Sequence, residues 1–257
     1  MSFLAAVLPT GRAQDVWTGA GSDAKWQTPG NWQGGNPPSA GDLLTFTGVS
    51  GLNNTNNFLS GTAFGGLTFK ASAGAFTLNG NPITLAGNVT NSQVVTEQSI
   101  NLPMTLGITP LVDIVPNGLL SLNGVLSGSG GLTAVDGGQL NLNAANLFTG
   151  PLTVNAGTVA VGSDANLGAV PTSATPGSIV LNGGTLDATR GFTLNANRGV
   201  AVGSAAGGFG TITVAPGQTL SYGGVVAGNG GGGDLVKNGF GTLSLSGINT
   251  YSGATSN

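Results

Sequence analysis

The stretch Leu120-Ser121-Leu122-Asn123-Gly124-Val125-Leu126-Ser127-Gly128 returns one hundred positions later as Leu220-Ser221-Tyr222-Gly223-Gly224-Val225-Val226-Ala227-Gly228. After a slippage of three positions in the glycine run near 230, Gly138-Gln139-Leu140-Asn141-Leu142 lines up with Gly241-Thr242-Leu243-Ser244-Leu245, and Asn146-Leu147-Phe148-Thr149-Gly150 with Asn249-Thr250-Tyr251-Ser252-Gly253. Order, spacing and aromatic placement agree across the two copies. Internal repetition of this kind marks a chain whose units bury their apolar stripe only by stacking on one another.

Working outward, the same short alternation fills most of the chain. Gly66-Leu67-Thr68-Phe69, Ile83-Thr84-Leu85, Leu152-Thr153-Val154, Ile179-Val180-Leu181 and Thr211-Ile212-Thr213-Val214 each carry apolar residues with period two, the pattern of a half-buried strand. No long window shows helical periodicity, and Gly, Asn, Thr and Val are poor helix formers. Three strand ends share one spelling, Leu78-Asn79-Gly80, Leu122-Asn123-Gly124 and Leu181-Asn182-Gly183. Asn and Gly tolerate positive φ, so this triplet predicts sharp corners, and stacked corners would let the Asn amides form ladders along the axis. The fold expected is all-β, a right-handed parallel β-helix of about 20 residues per coil, ten coils and a rod on the order of 50 Å.

Composition narrows function. Of 257 residues 48 are Gly, and only 6% are charged, so the surface must be built from Ser, Thr, Asn and Gly. A mean hydropathy of +0.24 with a net charge of −3 is not the signature of disorder. The six basic residues are scattered, which excludes nucleic acid and anionic lipid as partners. With no Cys and no His, thiolate metal sites and the commonest general base are missing. Neither a metal nor a cofactor is expected, and no run of residues is long and apolar enough for a membrane span.

Residues 1–14 hold the apolar run 3–8 before Pro9 and read as the remnant of a secretory signal peptide, an ordinary first strand being the alternative. Residues 15–60 differ from the rest in holding all three tryptophans, Trp17, Trp26 and Trp32, and read as an aromatic cap on the end of the solenoid. Residues 61–257 are the repeat region, and the chain stops at Asn257 inside a coil, so an unpaired edge and end-to-end self-association are expected.

The run Gly239 to Gly253, the earlier Pro151 to Val161, the stretch Leu122 to Leu132, and the opening Val16-Trp17-Thr18-Gly19 with Asn31-Trp32 and Phe46 resemble the autotransporter-associated β-strand repeat proteins. The resemblance implies a β-helical passenger exposed on a bacterial surface, secreted and adhesive rather than catalytic, with surface glycans or neighbouring cells as its partners. Two other functions compete. A β-helix polysaccharide lyase or hydrolase needs clustered carboxylates, and the nearest constellation in the sequence is Asp187 with Arg190 and Arg198, which reads better as a solvated charge trio. A glycan-binding module would use Trp17, Trp26 and Trp32 as a stacking platform, against which burial in the cap is the duller role.

Overall fold

A computed structural model describes residues 13–204, 208–230 and 232–257; most of the segment read as a signal remnant, residues 1–12, lies outside them. Two ten-stranded sheets run the length of the molecule. The first wall begins with Gln14–Trp17, Leu43–Phe46 and Gly66–Phe69 and ends with Arg198–Val202 and Val226–Gly228; the second begins with Asn53–Asn56 and Thr77–Gly80 and ends with Asp234–Asn238 and Thr255–Ser256. A third wall is broken into a four-stranded part, Thr62–Phe64 to Leu126–Ser127, and a three-stranded part, Phe192–Leu194 to Thr242–Leu245. Strands pair in parallel throughout, and an isolated antiparallel bridge joins Trp17 to Trp32. The architecture is a parallel β-solenoid of about nine turns. Ten strands stacked at about 4.8 Å give a rod of about 45 Å.

Coil length is less regular than the expected 20 residues. Leu132 pairs with Leu152, a coil of 20, but Leu152 pairs with Ile179 and Gln14 with Leu43, coils of 27 and 29. Most extra residues are accommodated at corners, and one interruption of register falls within the first wall, between Thr175 and Ile179.

Period-two alternation becomes columns of side chains pointing into the rod. Leu78, Ile100, Leu122, Leu142, Val161, Ala188 and Val214 follow one another in register along the second wall, and all are buried. Each large member contributes about 1.5–3 kcal/mol relative to exposure. The corresponding first-wall column opens with aromatics: Trp17 is in register with Phe46 and Phe46 with Phe69. Phe46 stacks on Phe69 at 5.4 Å, and Trp26 meets it at 5.9 Å. The N-terminal end of the rod is thus an aromatic cluster, and its strands, from Gln14 onward, belong to the same walls as the repeats.

The repeat copies do not sit on the same walls. Leu119–Leu122 lies in the second wall, whereas Thr219–Tyr222 lies in the third; Gln139–Leu142 and Thr242–Leu245 differ in the same way. One hundred residues amount to four turns and a third, so the later copy is rotated by one wall. Local chemistry survives the rotation. In the first copy Leu126 N–H donates to Asn146 Oδ1 at 2.9 Å, and in the second Val226 N–H donates to Asn249 Oδ1 at 2.9 Å.

Between Leu126–Ser127 and Phe192–Leu194 two coils carry no third-wall strand. Phe148 and Leu167 fill the core there; backbone bonds still cross between coils, Leu147 N–H to Leu126 O at 2.7 Å, Thr149 N–H to Gly128 O at 3.0 Å and Ala169 N–H to Phe148 O at 2.9 Å, and two buried asparagines add to them. Asn146 Nδ2 donates to Asn166 O at 2.7 Å, and Asn166 Nδ2 donates to Ala144 O at 2.8 Å.

The corners do form ladders. Asn143, Asn123, Asn101 and Asn79 each donate Nδ2 to the Oδ1 of the residue one coil earlier, ending on Asn53, at 2.7–2.8 Å. Asn182, spelled like Asn79 and Asn123 in its triplet, ends a first-wall strand and bonds Asn155 instead, at 3.2 Å.

Candidate functional site

The residues singled out for chemistry are placed as follows. Trp17 and Trp26 are 0% exposed and Trp32 is 2% exposed. Trp17 meets Trp32 edge-on at 5.1 Å. Their N–H groups are taken internally, Trp26 Nε1 by Asn54 Oδ1 at 2.7 Å and Trp32 Nε1 by Trp26 O at 2.6 Å. No ring face is open to a sugar, so a stacking platform at these three positions is corrected to a core cluster. The cause is periodicity: Trp17 occupies an inward position at the head of a column, where the largest apolar surface gains most from burial.

Asp187, Arg190 and Arg198 are not brought together as a site. Asp187 stands on the second wall with its pKa raised by burial, and Arg190 is exposed at the following corner. Arg198 opens a first-wall strand, yet its side chain turns inward and is 2% exposed. Its Nε donates to Asp164 Oδ1 at 2.8 Å, Nη2 to Gly168 O at 2.8 Å and Nη1 to Leu167 O at 3.0 Å. The guanidinium therefore ties down the short 3-10 turn Asp164–Leu167 in a coil that lacks its third strand. The sequence gives little warning of this pair, because 34 residues and a long corner separate the partners.

A second arrangement unites Asp15 and Asp42. Asp15 pairs in register with Leu44, at the head of the inward column Leu44, Leu67, Val89 and Val112. Its Oδ2 is buried with no hydrogen-bond partner among the described residues. Burial foremost, and then the Asp42 carboxyl, push its pKa up to about 6. Once Trp17 is known to point inward, Asp15, two residues earlier on the same strand, must as well, but the sequence alone left the facing of Trp17 open. Among the described residues no group of three or more potential metal-binding side chains occurs.

The outer faces are sparsely charged and repetitive. One outward column of the second wall reads Thr77, Ser99, Ser121, Asn141, Ala160, Asp187, Thr213 and Asn238. On the first wall the register shifts between Thr175 and Ile179, so residues 176–178 bulge from the strand Thr175–Leu181 as a ridge with a groove on each side. One groove, about 440 Å³, is walled by Pro151, Val170 and Pro176 and reaches Arg198. The other, about 740 Å³, is floored by Gly199, Ala201 and Ala227 and lined by no ionisable side chain. What these surfaces offer is shape and hydrogen bonding, with no acid–base pair at either groove.

Fold, repeat and surface define a repeat β-solenoid whose chemistry lies on its faces. The family model of the passenger-associated-transport-repeat matches residues 132–161 and 235–256, the two copies that the structure rotates by one wall. The chain is 31% identical over 96% of its length to the adhesin BmaC autotransporter of Brucella suis biovar 1 (strain 1330). It spans 7% of that relative's length. No solved structure matches it. Both comparisons thus agree with the resemblance to autotransporter-associated β-strand repeat proteins: two stretches of the chain match a passenger repeat, and nearly all of it is similar to part of an autotransporter.

Proposed function

We propose that the chain is a stretch of an exported passenger rod on a bacterial surface, and that its work is presentation and adhesion rather than catalysis. The observation that carries this reading is the pair of unbroken ten-stranded walls with sparsely charged, Ser/Thr/Asn-bearing outer columns, in a chain similar to a protein named as an adhesin autotransporter. A stiff repetitive face makes many weak, equivalent contacts, and these add through multivalency. Surface glycans or neighbouring cells are the partners proposed.

The test is density-dependent binding. Beads carrying the folded chain at graded densities are applied to cultured cells and to glycan-coated surfaces. Retention should climb steeply with density, on the order of 10²-fold between sparse and dense beads. Retention no better than that of beads carrying an unrelated β-solenoid, at every density, would remove adhesion from the reading. For location, protease treatment of intact cells that make the parent protein should release peptides of this segment, and their release only after lysis would contradict surface exposure.

A further inference from the structure

Six Asn-Gly steps occur in the sequence, at Asn79, Asn117, Asn123, Asn182, Asn229 and Asn238. Such steps are chemically vulnerable because glycine leaves its own nitrogen unshielded, and that nitrogen can attack the preceding side-chain amide. The structure treats the six very differently. We infer that Asn238 is a built-in deamidation site, the one Asn-Gly step of this rod whose nucleophile and electrophile are held together in the folded state.

The geometry is specific to this position. Gly239 N–H donates to Asn238 Oδ1 at 2.8 Å, which places the attacking nitrogen one covalent bond from contact with the carbon it must reach. Asn238 is exposed, so water can enter and ammonia can leave. Lys237 Nζ donates to Gly239 O at 2.7 Å and sets a positive charge beside the nitrogen that must lose its proton. At four of the other five steps the glycine N–H is committed to another carbonyl: Gly183 to Phe209 O at 2.7 Å, Gly118 to Val115 O at 2.8 Å, Gly230 to Gly228 O at 3.1 Å and Gly124 to Ile100 O at 3.2 Å. Asn79 and Asn123 are held further by the ladder, in which each amide nitrogen donates and each amide oxygen accepts.

The steps balance without any outside oxidant or reductant. A base in solvent takes the proton of Gly239 N, and the nitrogen attacks Asn238 Cγ. The new C–N bond closes a five-membered succinimide, the Cγ–Nδ2 bond breaks, and Nδ2 leaves as ammonia with a proton from water. Water then opens the ring at either carbonyl, giving Asp or its β-linked isomer at 238. Both products add a negative charge to the outward column that contains Thr213 and Asp187. The β-linked product also lengthens the main chain by one carbon where Thr213 pairs with Asn238, so it loosens the strand Asp234–Asn238 from its neighbour.

The experiment is a timed incubation of the folded chain at mildly alkaline pH, with peptide mass spectrometry at all six steps, beside the same chain in concentrated urea. In the folded chain Asn238 should convert about tenfold faster than Asn79, Asn123 and Asn182, an effect of holding the reacting atoms in place. In urea the lead of Asn238 should shrink to that of its local sequence. Asn238→Gln, which cannot close a five-membered ring, should remove the site and leave the β-sheet circular dichroism unchanged. Conversion of Asn238 no faster than that of the ladder asparagines in the folded chain, or an equal lead in urea, would overturn the inference.

Discussion

Arg198 and Asp15 both stand at inward-facing positions of the solenoid, and they behave oppositely. Arg198 has its donors matched by the carboxylate of Asp164 and by the carbonyls of Leu167 and Gly168. Removing it strands the acceptors in a coil with no third strand to cover them. Arg198→Leu should cost about 3–5 kcal/mol, read as a lower urea midpoint at unchanged slope. Arg198→Lys should recover little, since one ammonium cannot span that fork of acceptors. A midpoint within error of the parent for Arg198→Leu would mean that the pair is energetically idle. Asp15 has no such partner, and burial with the nearby Asp42 carboxyl raises its pKa from 3.8 to about 6. Its folded-state pKa lies above the unfolded value, so the folded chain binds the extra proton between those values, and stability falls as pH rises through that window. Asp15→Asn keeps the shape without the charge. Thermal unfolding of the two proteins should coincide near about pH 4 and diverge in favour of the variant by about pH 7, with the difference saturating above the folded pKa. A difference that grew toward acid would reverse the sign of this account.

At the scale of elements the ladder from Asn143 to Asn53 offers a graded test. Asn101 donates to Asn79 and accepts from Asn123, whereas Asn143 donates to Asn123 and ends the run. Asn101→Ala should therefore cost about 1 kcal/mol and Asn143→Ala about half of that, measured as shifts in urea midpoint. Equal costs would show that the corners are held by their backbone alone. The triplet Leu-Asn-Gly announced these corners in the sequence, and the strand cores Leu120–Leu122, Leu140–Leu142 and Leu152–Val154 were legible from period two, because a strand half-buried in a wall imprints its two faces on alternate residues. The walls themselves were not legible. Leu122-Asn123-Gly124 leaves the second wall and Leu181-Asn182-Gly183 leaves the first, and the shared spelling does not impose a shared backbone, since Gly183 stands at φ 90° whereas Gly124 is not at positive φ. Nor could local pattern show that the tryptophans were core residues, since a cluster of rings reads alike whether it faces inward or outward until its column is known. The Asp164–Arg198 pair was hidden by the 27-residue coil that spaces its neighbours, because loop length is cheap in free energy and leaves little trace in sequence.

Across the whole molecule each coil leans only on the coil above and below, so stability is a sum of local terms and the weakest coils open first. In the two coils between Leu126–Ser127 and Phe192–Leu194 the third wall is reduced to isolated backbone bonds, and the second of them carries the segment 168–178, with Val170 exposed and residues 176–178 bulging from the strand Thr175–Leu181. Buried Asn146, Asn166 and Arg198 hold its base, but among the described residues the tip, 171–174, is met only by Asn197 Nδ2, which donates to Pro171 O at 2.8 Å, and by Thr175 Oγ1, which donates to Ser173 O at 3.0 Å. A protease needs several residues of extended, unpaired chain, and that tip is where this rod provides them. Limited proteolysis of the folded chain with a broad-specificity enzyme should cut first within 168–178. The first and second walls run unbroken past the cut, so the two pieces should stay together on gel filtration and separate only in denaturant. Arg198→Leu should speed this cleavage and leave cutting elsewhere in the rod unchanged, because it loosens the base of that segment alone. First cleavage at the asparagine corners, or immediate separation of the pieces, would show that the missing third-wall strands are not the weak joint of the solenoid.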